Sequence, residues 1–246
     1  RLDVATALDE VSDSTKAIIT NTPSNPTGAV HAREEMEALA DGLDGTGIHW
    51  ISDEIYEDYD YEHQFTSVLD VDRTDPTFKI GGTSKSHHTM GWRLGWLIGS
   101  PETIDALKPL HQHLVTCAPV PAQRGAIVAL EHHRDLVERT MDVFGRRRQL
   151  MADALDEIPG LSYARPAGAF YVFVDVRDYT SRYSSGAGSL ALAEDLLGDR
   201  DVVTIPGAGF GAAGEGYLRL AFTVGEEQLR EGLARMNSFF RGHDDE

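Results

Sequence analysis

Short apolar runs rich in β-forming residues are spaced along the first hundred residues, and this spacing limits the fold more than any other feature. They are KAIIT (Lys16 to Thr20), IHWISD (Ile48 to Asp53), TFKIGG (Thr77 to Gly82) and LGWLIGS (Leu94 to Ser100). The first ends in the turn-rich TPSNPTG, and a helical pattern follows from Ala32 to Leu43, with acids in its first turn and Gly42 near its end. Strands separated by helices predict an α/β sheet with covered faces. In such sheets the loops at the carboxyl ends of the strands build the site. Asn25, Asp53 and Lys85 all lie at or just past such an end.

From about Ala122 to Ile158 the pattern is helical and long, and Pro159-Gly160 ends it. YVFVDV (Tyr171 to Val176), VVTI (Val202 to Ile205) and YLRLAF (Tyr217 to Phe222) then read as strands. Helices are expected near Gly188 to Leu197 and Glu226 to Phe240, which makes a smaller α+β unit. The implied division is residues 1–140 and 141–246. SRYSSGAGS (Ser181 to Ser189) is the most linker-like loop.

Composition excludes several classes. Hydrophobic residues make up 41% and charged residues 25%, an ordinary globular balance. No stretch is long and apolar enough for a transmembrane helix. RLDVATALDE has no apolar signal core, and Cys117 is the single cysteine, so a reducing cytoplasm is expected. Lys plus Arg is 22 and Asp plus Glu is 40, a net charge of −18. That surface repels nucleic acid and anionic membranes, and it resembles the acidic surfaces of proteins from salt-loving organisms. Binding of cationic partners is the alternative reading of the same charge.

GFGAAG (Gly209 to Gly214) matches the G-x-G-x-x-G pattern, but that motif needs a helix N-terminus after the glycines, and YLRLAF reads as a strand. The glycines are expected to allow a tight backbone path instead. The histidines His87-His88, His111 with His113, and His132-His133 have no Cys or carboxylate at a familiar ligand spacing, so no metal site is expected.

Several residues carry chemistry. Asp53 is either a cap of the turn after its strand or a fixed carboxylate facing a cation, and Tyr56, three residues on, could point the same way. Asn25 either forms the Asn-Pro turn or donates its amide to a ligand oxygen, and its bond to Pro26 is a candidate for cis. Lys85 sits in TSKSHHTMGWRLGW (Thr83 to Trp96). Ser84 supplies a hydroxyl, and Arg93 a planar fork suited to phosphate oxygens. An amine in that setting is expected to lose its proton readily and to react as a nucleophile. Arg219 is the one charge in YLRLAF and shares a face with Tyr217 and Ala221. It is either an edge-strand arginine in solvent or a clamp for a substrate carboxylate.

NTPSNPTG, SDEIY, TSKSHHTMGWRLGW and GYLRLAF occur in this order, and PAGAFYVF and PGAGFG follow the same pattern. Together they resemble the class I/II aminotransferases, which use pyridoxal 5′-phosphate. The resemblance implies a three-layer sheet-and-helix large domain, incomplete here, whose C-terminal part is residues 1–140, with residues 141–246 as the small domain. It implies that Lys85 forms a Schiff base with the cofactor and moves a proton at the substrate's Cα. Asp53 would pair with the pyridine nitrogen, Asn25 and Tyr56 with the ring oxygen, and Ser84 and Arg93 with the phosphate. Arg219, with Asn25, would bind the substrate. The substrates would be an amino acid and a 2-oxo acid, and a homodimer is allowed. β-Elimination, decarboxylation or an inactive remnant are the alternatives. Family members carry a long stretch before the position of Leu2, so an incomplete sheet and a half-built pocket are expected. SHHTM also replaces a more apolar segment.

Overall fold

The computed structural model describes residues 2–180 and 188–242, so the linker-like Ser181–Ser189 loop lies mostly outside the described residues. Two compact units divide the chain: Arg1–Ser24 with Ala29–Thr140, and Asn25–Gly28 with Met141–Glu246.

The first unit is built on a four-stranded sheet in the order β1 (Ala17–Asn21), β2 (His49–Asp53), β3 (Thr77–Gly81) and β4 (Trp96–Ile98). The first three strands run parallel and β4 runs antiparallel to β3. Asn21 pairs with Asp53, and Asp53 with Ile80, so three strands end at one edge. Helix α1 (Val4–Asp9) is capped by Asp3, whose carboxylate accepts from Thr6 N at 3.1 Å. Helix α2 (Arg33–Leu43) starts without a side-chain cap, because Ala32 has none to offer; Glu35 instead accepts from Ala32 N at 2.9 Å. Its buried residues Met36, Leu39, Ala40 and Leu43 recur at helical spacing and pack with Ile48, Trp50 and Val68. Leu2, Val4 and Leu8 close that core from the chain's start. Along β2, Trp50 and Ser52 are buried while Asp53 and Ile51 lie on the other face, half-buried. On that face Ile19 of β1 is 70% exposed.

Helices α3 (Pro101–Leu114), α4 (Val120–Glu131) and α5 (His133–Asp156) follow. The stretch expected as one helix from Ala122 to Ile158 is therefore two. His132 leaves helical geometry (φ −107°, ψ 17°), and its N–H closes α4 on Leu130 and Val128 carbonyls.

The second unit has an antiparallel sheet in the order β5 (Ser162–Tyr163), β6 (Tyr171–Asp175), β8 (Tyr217–Ala221) and β7 (Ile205–Pro206). Val172 and Val174 of β6 and Leu218 and Leu220 of β8 are buried, as are Leu192 and Leu196 of α6 (Ser189–Arg200) and Leu229, Leu233, Met236 and Phe240 of α7 (Glu226–Gly242). VVTI is only marginally a strand: Asp201 adopts a left-handed conformation, Val203 is 75% exposed, and pairing begins at Ile205. The GFGAAG segment folds as short 3₁₀ turns over Gly207–Phe210 and Ala212–Gly214 and leads into β8, a strand. A Cβ at Gly207 would sit 2.0 Å from the Gly214 carbonyl oxygen, so this backbone approach admits glycine alone.

Candidate active site

The first unit gathers its reactive side chains where β1, β2 and β3 end. Asp53 is the last residue of β2, tied to β1 by Asn21 Nδ2, which donates to its carbonyl at 2.9 Å. Its carboxylate accepts from Ile55 N at 3.2 Å, closing the turn into Tyr56. Burial holds the Asp53 carboxyl above its ordinary value; the Ile55 N–H pulls it back, Glu54 raises it further and Lys85 lowers it. Lys85 is thus within electrostatic reach of Asp53. Its Nζ lies 5.6 Å from the centroid of the buried Tyr56 ring. Lys85 is half-buried in that placement.

The turn that carries Lys85 is held from several sides. His87 N donates to Thr83 O at 3.1 Å and His88 N to Lys85 O at 3.2 Å. The Thr83 and Thr89 hydroxyls meet at 2.7 Å, and the buried Tyr59 donates its hydroxyl to Lys85 O at 3.0 Å. Ser84 Oγ donates to Leu94 O at 3.4 Å. Arg93 is exposed, in a left-handed conformation (φ 55°, ψ 45°), and donates Nη1 to Met90 O at 3.1 Å. Ser84 and Arg93 each donate to a carbonyl of the same turn.

Beneath Asp53, Glu54 is fully buried. It accepts from Ser67 Oγ and Val68 N, both at 2.7 Å, and pairs with Lys79 Nζ at 3.2 Å; Lys79 also holds Glu57. This network fixes the start of the Asp53–Tyr56 turn to β3.

In the second unit Arg219 lies on β8, which is flanked by β6 and β7. The edge-strand reading is therefore wrong: two neighbours pair this strand on both sides. As the alternation implies, Leu218 and Leu220 face the core and Arg219 the other side. The guanidinium sits between the Tyr171 ring, 4.5 Å away, and the Phe210 ring, 5.1 Å away, and Nη1 donates to Asn25 Oδ1 at 2.9 Å. Its Nε is buried and has no hydrogen-bond partner among the described residues. Gly28 lets the Asn25 segment approach: it has φ +69°, and a Cβ there would meet Pro166 Cβ at 2.3 Å. The Asn25–Pro26 bond is cis, as is Thr22–Pro23.

Tyr59, Tyr171 and Phe210 were not read as site residues from the sequence. Tyr59 carried one signal, its position three residues beyond Tyr56 in SDEIYEDY. Phe210 is the lone aromatic among the glycines of GAGFG, and its ring finds Arg219 across nine residues. Among the described residues no group of three or more His, Cys, Asp or Glu is placed to hold a metal ion, and no helix is long and apolar enough to cross a membrane.

The family model described as "Aminotransferase class I and II" matches residues 1–236. The chain belongs to the class I and II aminotransferases. YugH of Bacillus subtilis strain 168, an aminotransferase by its name, is 38% identical over 239 residues, covering 96% of this chain and 60% of that protein. The aspartate aminotransferase of Thermotoga maritima is 35% identical over 226 residues, covering 92% of this chain and 56% of that one. The crystal structure of an aromatic aminotransferase from Pyrococcus horikoshii OT3 superposes with a TM-score of 0.91 at 33% identity, covering 99% of this chain and 65% of that chain. The chain thus spans about 60% of the length of the curated relatives it matches. Class I and II aminotransferases depend on pyridoxal phosphate. Within the first unit the residues present suit that group: an amine and a half-buried carboxylate lie within electrostatic reach of each other.

Proposed function

We propose that this chain carries the lysine, the ring-nitrogen acid and the carboxylate clamp of a pyridoxal-phosphate-dependent transaminase acting on an amino acid and a 2-oxo acid. One observation carries the reading. Lys85 Nζ is held over Tyr56 within reach of Asp53, at the shared end of parallel strands, where α/β sheets place their ligands. In this reading residues 1–140 are the C-terminal part of the cofactor-binding domain and residues 141–246 the small domain.

When bound, pyridoxal phosphate supplies an aldehyde for amine capture and a ring that withdraws electrons. Lys85 would hold the cofactor by its aldehyde and would carry a proton at the substrate's Cα. Asp53 would face the ring nitrogen and favour its protonated form, the more so for its partial burial. Tyr56 and Asn25 would donate to the ring oxygen. Ser84 and Arg93 would bind the phosphate in place of the carbonyls of Leu94 and Met90. Arg219, beside Tyr171 and Phe210, would take the α-carboxylate.

The test is direct. The protein is mixed with pyridoxal phosphate, reduced with borohydride and examined by peptide mass spectrometry. A single adduct on Lys85 is expected. Lys85→Ala should keep its circular dichroism and lose the adduct. An adduct of equal yield elsewhere, or none on a folded chain, rejects the reading.

A further inference from the structure

Beside Lys85, Ser86 and His87 begin a chain of polar contacts that the proposed chemistry does not use. Ser86 Oγ lies 2.8 Å from His87 Nδ1. His87 Nε2 lies 3.3 Å from His133 Nδ1, and His133 Nε2 lies 3.2 Å from Asp58 Oδ1. The two imidazole centroids are 5.2 Å apart. The chain joins three segments: the Lys85 turn, the first residue of α5, and the loop after β2 that carries Tyr56.

Proton positions follow by elimination. An ionised Asp58 only accepts, so His133 Nε2 donates. With His133 neutral its Nδ1 accepts, so His87 Nε2 donates. A neutral His87 then accepts at Nδ1 from the Ser86 hydroxyl. One added proton, on either ring, makes His87 Nδ1 a donor and turns Ser86 Oγ into an acceptor. A second would set two N–H groups against each other across 3.3 Å. The geometry therefore accommodates one added proton between the two rings and not two.

The surroundings set the balance. Burial, and then His133, hold His87 below the ordinary imidazole value; Asp58 and the Ala129 carbonyl of α4 oppose this, and His88 adds to it. His88 itself reaches Thr140 of α5 at 3.4 Å. Glu57, held by Lys79, is within electrostatic reach of Asp58.

We propose that Asp58, His133, His87 and Ser86 hold one exchangeable proton between them, and that this proton clamps the Lys85 turn and governs how readily the Lys85 amine reacts. His133 and Asp58 are positioning residues: they act on Lys85 through His87 and Ser86. The inference rests on the reading of Lys85 as the reactive amine.

The experiment uses the cofactor-free protein. Brief labelling with acetic anhydride across roughly pH 5.5–8.5 spans the imidazole range. Mass spectrometry reads modification of Lys85 relative to exposed Lys16 and Lys108. The ratio is expected to rise about two- to fivefold as the pH falls through the pair's titration, because a nearby cation favours the neutral amine. Asp58→Asn removes the charge that supports the added proton, and should move the bend about one pH unit lower. His87→Gln should flatten it. A bend that stays at the same pH in both variants, or a flat profile in the unaltered chain, overturns the proposal.

Should a variant fail to fold, histidine NMR of the unaltered chain decides. One proton taken in the ordinary imidazole range and a second only in stronger acid supports the chain; two independent ordinary titrations refute it. Labelling needs no cofactor, so the two readings fail separately. A bend with no reducible adduct rejects the functional reading alone, and an adduct with a flat profile rejects the proton chain alone.

Discussion

Asp53 and Glu54 are consecutive acids with opposite surroundings. Glu54 is fully buried and saturated by Ser67, Val68 and Lys79. Asp53 has one backbone donor and is left above its ordinary value by burial. An acid whose folded-state value is raised is favoured protonated, so it costs stability as the pH rises above its ordinary value, and the cost is complete above the raised one. Asp53→Asn should therefore raise the melting temperature of the cofactor-free chain at pH 7 by roughly 1–3 °C. The gain should vanish as the pH falls below the ordinary aspartate value of 3.8, where both states become protonated. Thermal scans at several pH values check this; a gain that persists in acid contradicts the assigned cause. Arg219→Lys keeps the charge but loses the planar fork and the stack between Tyr171 and Phe210. Amino-acid binding should weaken about tenfold or more, with cofactor binding retained, by spectroscopic titration. The placement of Asp53, Tyr56 and Lys85 at or just past strand ends was legible because a strand end and the turn after it are local features. The partners of His87 were not. His133 is 46 residues away, and only the fold brings the two rings together. The adjacent histidine pairs drew attention as metal candidates, whereas His87 and His133 contact each other and, beyond that, Ser86 and Asp58.

At the scale of elements, the buried Lys79 on β3 is the cation that pairs with two acids of the β2 loop, Glu54 and Glu57. Lys79→Met would strand Glu54 and Glu57. The expected loss is about 3 kcal/mol, measurable by urea denaturation, with much of it recovered when Glu54→Gln is added. A loss below about 1 kcal/mol would mean that water already reaches the network. The central strands were readable because apolar runs bounded by turns leave few alternatives. The α4–α5 break was not, since no Pro or Gly marks His132 and the apolar period continues past it. Helix α3 was missed for the opposite reason: Pro109 lies inside it, and none of its residues is buried to supply a pattern. VVTI had strand composition but finds a partner only at its last residue.

For the whole molecule, −18 charges on 246 residues repel one another in the compact state. Raising potassium chloride from about 0.1 to 2 M shortens the screening length from roughly 10 Å to below 3 Å and should raise the melting temperature by several degrees. Sulfate at equal ionic strength separates screening from general salting-out; a rise seen with sulfate alone would count against charge repulsion. The two-part α/β and α+β organisation was visible from composition and periodicity. The side-chain pocket for substrate was not, because the chain spans about 60% of its relatives' length. On β8, Leu218 and Leu220 are buried while Arg219, between them, turns to the other side. Damage to this one strand should therefore come in two distinguishable kinds: a lesion at an even position lowers how much protein survives, and a lesion at Arg219 leaves an abundant protein altered only in what the proposed clamp would hold.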